Sequence, residues 1–191
     1  MDQELLERID LIERMVLQGR RTTQYWGWSF VLWGTGQLTA MGLSTLSWRP
    51  SLVWAVAMGA CGILTAVISA RQRRAEKAET LVSRAIMALW ISFGVSVALL
   101  GFLGHPAGLF SLRSFSAVFL ALMGFTNAAS GLILRWPLQI GLGIAWWTSA
   151  VVIMFGPEKI IGWTLIAMVF LGEVVFGLYL MARERADRKH A

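Results

Sequence analysis

Six stretches of about twenty apolar residues, parted by short charged or turn-forming breaks, constrain this 191-residue chain more than any other feature. A helix needs roughly 20 residues to cross a hydrocarbon layer of roughly 30 Å. Residues 25–46, 51–70, 85–104, 115–134, 137–156 and 160–181 each have that length. The breaks are chemically suited to turns: Ser47-Trp48-Arg49-Pro50, Gly104-His105-Pro106, Arg135-Trp136-Pro137 and Gly156-Pro157-Glu158-Lys159. Pro137 is placed for the first turn of a helix, where a missing N–H costs nothing.

Composition agrees. Charged residues make up 15% of the chain, against about 25% in an ordinary soluble domain. The 19 glycines lie mostly inside the apolar runs, where they let helix backbones approach closely. The net charge of +6 does not point to nucleic acid, because the basic residues flank apolar runs and form no stripe of their own. With the N-terminus inside, fourteen of the seventeen Lys and Arg fall on the cytoplasmic side, and Arg49, Arg113 and Lys159 fall outside. That asymmetry is the positive-inside bias of a multi-pass membrane protein. It sets an even number of spans, with both termini in the cytoplasm. Trp26, Trp28, Trp90 and Trp136 at inner boundaries, and Trp48, Trp54 and Trp163 at outer ones, read as interfacial anchors.

The expected fold is therefore an all-α membrane protein. Six transmembrane helices form three hairpins over residues 22–182, preceded by an amphipathic cytoplasmic helix at 1–21 and followed by a basic cytoplasmic tail at 183–191. Each returning helix carries a glycine pair and ends on arginine: Gly59 and Gly62 before Arg71, Gly124 and Gly131 before Arg135, Gly172 and Gly177 before Arg183. The pattern reads either as a weak internal repeat or as the common chemistry of any membrane hairpin.

Three hairpins in fewer than 200 residues, with those glycine pairs, resemble the HdeD-type small bacterial membrane proteins. The last hairpin carries most of the likeness, in Phe155-Gly-Pro-Glu158, Gly172-Glu-Val-Val-Phe-Gly177 and Met181-Ala-Arg-Glu-Arg185. The resemblance covers the membrane part and not residues 1–20. The chain departs from it in tryptophan content and in glycine spacings of three, seven and five residues. It implies a bacterial inner-membrane location and an acid-stress or envelope function, and it assigns no role to any residue.

In residues 2–18, Leu5, Ile9, Ile12 and Val16 follow the 4-3-4 spacing of a short coiled-coil seam. Glu4–Arg8 and Asp10–Arg14 are i,i+4 pairs with the acid first, the favoured order. Five acids against two arginines in residues 1–17 give a net charge of −3, which an anionic leaflet repels. A protein partner is the expected ligand: a second copy, another protein, or the chain's own basic stretch 71–84.

One ionisable residue lies deep in an apolar run: Glu173, eight residues from the inner end of the last span, roughly 12 Å deep at 1.5 Å per residue. Such a carboxyl is expensive in hydrocarbon and marks a functional site by default. Arg135 and Gln139, at the inner end of the fifth span, are its candidate partners. Two readings stand: a proton- or cation-binding group, or a paired Glu that cements the last hairpin. A second polar set, Trp33, Gln37, Asn127, Trp146 and Trp147, either lines a cavity for a small organic cation or supplies interhelical hydrogen bonds.

Cys61 stands alone, which excludes an internal disulfide or a multi-thiolate metal site. His105 and His190 fall on opposite sides of the membrane, and no Ser/His/Asp set, paired carboxylates or HExxH motif is present. No cofactor, metal or enzymatic activity is expected. The function expected first is a non-catalytic inner-membrane component, stress-related or accessory, that acts through homo-oligomerisation or partner binding. The alternative is a small-solute or ion transporter, or the substrate-binding subunit of an importer. If the N-terminal helix is an assembly element, Ile9→Glu with Ile12→Glu dissociates the complex. An unchanged particle size in mild detergent would exclude that role.

Overall fold

The computed structural model describes residues 8–9, 26–73 and 81–189. Arg8 and Ile9 are helical, and Ile9 is 46% exposed; Leu5, Ile12 and Val16 of the proposed seam lie outside the described residues. Every regular element among the described residues is helical. The order is α1 (Gly27–Leu46), α2 (Pro50–Arg73), α3 (Leu81–Leu99) with a π-helical continuation (Leu100–Gly104), α4 (Leu112–Ile133) and α5 (Pro137–Phe155). A 3-10 turn (Glu158–Ile160) then leads into a rod made of α6 (Ile161–Val169), a π-helical segment (Phe170–Val175) and α7 (Phe176–Lys189). The stretch 183–189 continues that rod as helix.

Among the described residues five helices are long and apolar enough to cross a membrane: Pro50–Gln72, Leu81–Gly104, Leu112–Ile133, Pro137–Phe155 and Glu158–Asp187. The chain is thus built as a multi-pass membrane protein. α1 has 20 residues but is not among the five, because Gly34, Thr35, Gly36, Gln37 and Thr39 dilute its apolar content. Some of these groups are satisfied from within: the Thr35 hydroxyl donates to the Val31 carbonyl, the usual way a hydroxyl is hidden on a helix.

The most extensive packing is α4 against α5, across the three-residue turn Leu134–Trp136. Two glycines bring the pair together. A Cβ at Gly131 would lie 2.7 Å from the Ile140 nitrogen, and one at Gly143 2.7 Å from the Ala128 nitrogen. The next most extensive contact is α1 with α2, and α1 also packs along the α6–α7 rod. The first helix therefore closes the bundle onto the last, a contact outside the three expected hairpins. α2 and α3 are peripheral, with 6% of each apolar window buried within the chain, against 56% for α4.

Two apolar clusters fill the interior. One is centred on Leu120, Met123, Trp146, Ile153 and Val169, the other on Phe30, Leu134, Trp136, Phe176 and Leu180. Trp90 and Leu142 touch both. Edge-to-face rings join them, with Phe30–Trp90 at 5.0 Å and Phe119–Trp146 at 6.2 Å, the geometry that ring quadrupoles favour.

The helix ends show why the boundaries fall where they do. Ser111 caps α4, its hydroxyl accepting from the Ser114 backbone N–H at 3.1 Å, which satisfies one of the orphan donors of a first turn. Pro137 opens α5 at its first position. After α4, the Trp136 N–H donates to Gly131 O at 2.7 Å and the Arg135 N–H to Leu132 O at 3.2 Å. This Schellman arrangement puts a left-handed residue at the position usually held by glycine. Here it is Arg135, at φ 49°.

At the other end of the bundle, Arg113 Nη1 donates to the carbonyls of Ile153 at 2.7 Å and Gly156 at 2.6 Å. These oxygens belong to the last turn and cap of α5, which lack intrahelical partners, and a cation there also suits the helix dipole. Removing the guanidinium leaves them unmet. Arg113→Ala is expected to cost about 2 kcal/mol, which lowers the thermal midpoint in mild detergent by about 4–8 °C for a chain of this size. An unchanged circular-dichroism melt would show that the carbonyls find other donors.

Candidate functional site

The last rod is apolar from Ile161 to Phe170, and the first charged residue along it is Glu173. It falls within the π-helical segment Phe170–Val175. A π turn is wider than an α turn and recurs at functional sites. Here two adjacent residues, Gly172 and Glu173, are both buried against different neighbours. Gly172 meets α5: a Cβ there would lie 2.6 Å from Cζ2 of Trp146. Glu173 meets α1: a Cβ at Gly34 would lie 2.8 Å from the Glu173 Cβ. The two glycines thus set the depth at which the carboxyl is seated.

Glu173 is 3% exposed and Gln37 8%. The Gln37 amide nitrogen donates to both carboxyl oxygens, each at 2.9 Å. Among the described residues no cationic side chain pairs with Glu173. Cys61 stands nearby on the other side of α1. Its Sγ packs directly on Gly36 and lies 3.6 Å from the Leu32 carbonyl oxygen.

The two residue sets named from the sequence are redistributed. Gln37, from the proposed cavity, is the partner of Glu173. Arg135 sits in the turn after α4. Gln139 is fully buried near the start of α5, and neither its amide nitrogen nor its oxygen has a hydrogen-bond partner among the described residues. Trp146 is fully buried in the core, its indole N–H also unpartnered. Asn127 donates to Met123 O at 2.9 Å and leaves Oδ1 unmet.

The other two tryptophans do not join them. Trp33 donates to the Thr65 hydroxyl at 3.0 Å and ties α1 to α2. Trp147 is exposed on the outside of the α4–α5 pair, where it crosses Gly124 and donates to Ala121 O at 3.1 Å. These two are interhelical bonds, not the walls of one cavity.

Ser130, fully buried with a hydroxyl that has no partner among the described residues, is not marked out by the sequence. Nor is the role of Arg113. A cavity of about 370 Å³ lined by Ser111, Leu112, Arg113, Glu158, Ile161 and Gly162 opens at the end of the bundle that holds the Gly156–Ile160 turn. Glu173 is not among its walls. Among the described residues no three His, Cys, Asp or Glu side chains are gathered in one place. A lone carboxyl of this kind suits a single positive charge, such as a proton, better than a divalent metal, which takes several oxygen ligands.

No protein-family model, curated protein or solved structure matches the chain.

The Gln37–Glu173 pair makes a sharp energetic prediction. Gln37→Leu leaves a buried carboxyl without its donor and is expected to cost about 1–3 kcal/mol, whereas replacing both partners with apolar residues is close to neutral. The double variant Gln37→Leu/Glu173→Leu should therefore melt above Gln37→Leu alone. Additive losses in the cycle would mean that the two side chains do not interact.

Proposed function

We propose that this chain is a six-span bacterial inner-membrane protein, with both termini in the cytoplasm, that takes up and releases a proton at Glu173. It would act as an ion or small-solute transporter. The observation that carries this reading is the Gln37–Glu173 pair. It joins a buried carboxyl on a π-helical turn to a neutral amide, with no cation beside it among the described residues.

A carboxyl retained for packing alone is poorly explained here. Buried ion pairs are often no more stabilising than the apolar residues that could replace them, and this carboxyl lacks even the pair. A neutral amide partner holds the carboxyl in place and leaves its charge to be compensated by whatever arrives. Ionisable residues inside spans commonly face the protein interior and mark proton or ion pathways. α1 can serve as the sixth span despite its polar residues, because its Gln37 face is turned to the α6–α7 rod and not to lipid. The envelope or acid-stress role implied by the HdeD-type resemblance accords with a carboxyl that responds to protons.

A second reading, assembly with a partner or with further copies, is favoured by α2 and α3, where only 6% of each apolar window is buried. The predicted N-terminal seam at Leu5, Ile9, Ile12 and Val16 would serve the same end.

The transport reading is tested in vesicles that hold a pH-sensitive dye, with the potential clamped by potassium and valinomycin. Wild-type protein is expected to collapse an imposed pH gradient, and Glu173→Gln to reduce the rate to that of protein-free vesicles. Equal rates for the wild type and Glu173→Gln would remove Glu173 from the function.

A further inference from the structure

We propose that a hydrated proton path runs between α4 and α5 and joins Glu173 to the end of the bundle that carries the Arg135 turn, and to that end alone. The inference rests on the reading of Glu173 as a proton-binding group and gives it a direction.

Four fully buried residues supply the argument. Asn127 Oδ1, Ser130 Oγ, both amide atoms of Gln139 and Trp146 Nε1 have no hydrogen-bond partner among the described residues. An unmet buried polar atom costs about 1–3 kcal/mol, so five together would consume most of the roughly 5–15 kcal/mol that holds a domain folded. Water is the ordinary remedy, since a buried water makes about three hydrogen bonds to groups of this kind.

Their placement follows a line. Asn127 and Ser130 are one turn apart on α4, while Gln139 and Trp146 share a face of α5, seven residues or about 10 Å apart. Gly131 and Gly143 press the two helices together beside them. At the deep end, Trp146 rests on Gly172, the neighbour of Glu173 in the chain. At the shallow end, Gln139 lies in the first turn of α5, beside Leu134 and Trp136.

The line stops at Trp146. Beyond it the interior is the apolar cluster of Leu120, Ala150, Ile153 and Val169, which offers water no partner and separates the line from the next buried hydroxyl, Ser116 Oγ, a turn beyond Leu120 near the start of α4. Access is therefore one-sided. Leu134 and Trp136, both buried, form the closure at the open end.

In the step itself, a carboxyl oxygen of Glu173 gives its proton to an adjacent water, and the waters pass a proton on towards Gln139. The carboxylate left behind keeps the Gln37 N–H. Around Glu173, α1 presents Gln37, α5 presents Trp146 to the adjacent Gly172, and α2 presents the Cys61 thiol across Gly36. No charged group faces it among the described residues.

Infrared spectroscopy of the protein in lipid, moved from H₂O to D₂O, tests the path. The Glu173 carboxyl stretch is identified as the band missing in Glu173→Gln, and its rate of deuteration is followed. Gln139→Leu is expected to slow deuteration about tenfold, equivalent to about 1.4 kcal/mol on the barrier, and Trp136→Ala to speed it. Because one variant slows and the other accelerates, misfolding cannot mimic both. A Glu173 band that deuterates at the wild-type rate in both variants overturns the path and leaves the Glu173 reading standing. If no band is lost in Glu173→Gln at any pH, both fall.

Discussion

A carboxyl group in the interior of a membrane bundle can be held only by other groups of the protein or by water, and Gln37 is the group that holds Glu173. Much of the architecture follows from that contact. It draws α1, which is not among the five span-length apolar helices, against the α6–α7 rod and so joins the two ends of the described fold. It falls within the π-helical segment Phe170–Val175, where Gly172 and Glu173 are both buried. It also accounts for Gly34, since a side chain there would strike the Cβ of Glu173.

The rest of the bundle divides around this level. Towards the Gly156–Ile160 turn the interior is apolar but for the buried Ser116, and that end is fastened by Arg113, whose guanidinium takes up the last carbonyls of α5. Towards the Arg135 turn, the α4–α5 seam carries amides and a hydroxyl with capacity to spare. Interhelical hydrogen bonds in membranes average about 0.6 kcal/mol, so polar residues there gain little stability over apolar ones. Their concentration on one side of Glu173 is better explained by what water they can hold than by what they add to the fold.

The helices were legible in the sequence because hydropathy over twenty residues and turn chemistry act locally. Pro137 opens its helix as its position suggests, and Glu173 stood out as the one charge deep in an apolar run. The partner of Glu173 was not legible. Gln37 is 136 residues away in the chain, and nothing local distinguishes it from Gln139. Only the packing of α1 on the last rod does so. Arg113 read as one of a few outer basic residues, since a solvated arginine and one capping a distant helix look alike in a sequence. Trp33, Trp146 and Trp147 all lie well inside their apolar runs, but depth does not determine the face of a helix. One binds Thr65, one lies in the core and one crosses Gly124 on the outside.

The proposed function turns on whether Glu173 is both bound to Gln37 and able to exchange its proton. Solid-state NMR of isotopically labelled protein in lipid bilayers addresses both at once, with the Glu173 carboxyl carbon assigned by its loss in Glu173→Gln. The prediction is a resonance in contact with the Gln37 amide nitrogen that moves between protonated and ionised positions as pH changes. A carboxyl signal that stays fixed across the pH range, or that shows no contact with Gln37, would contradict it.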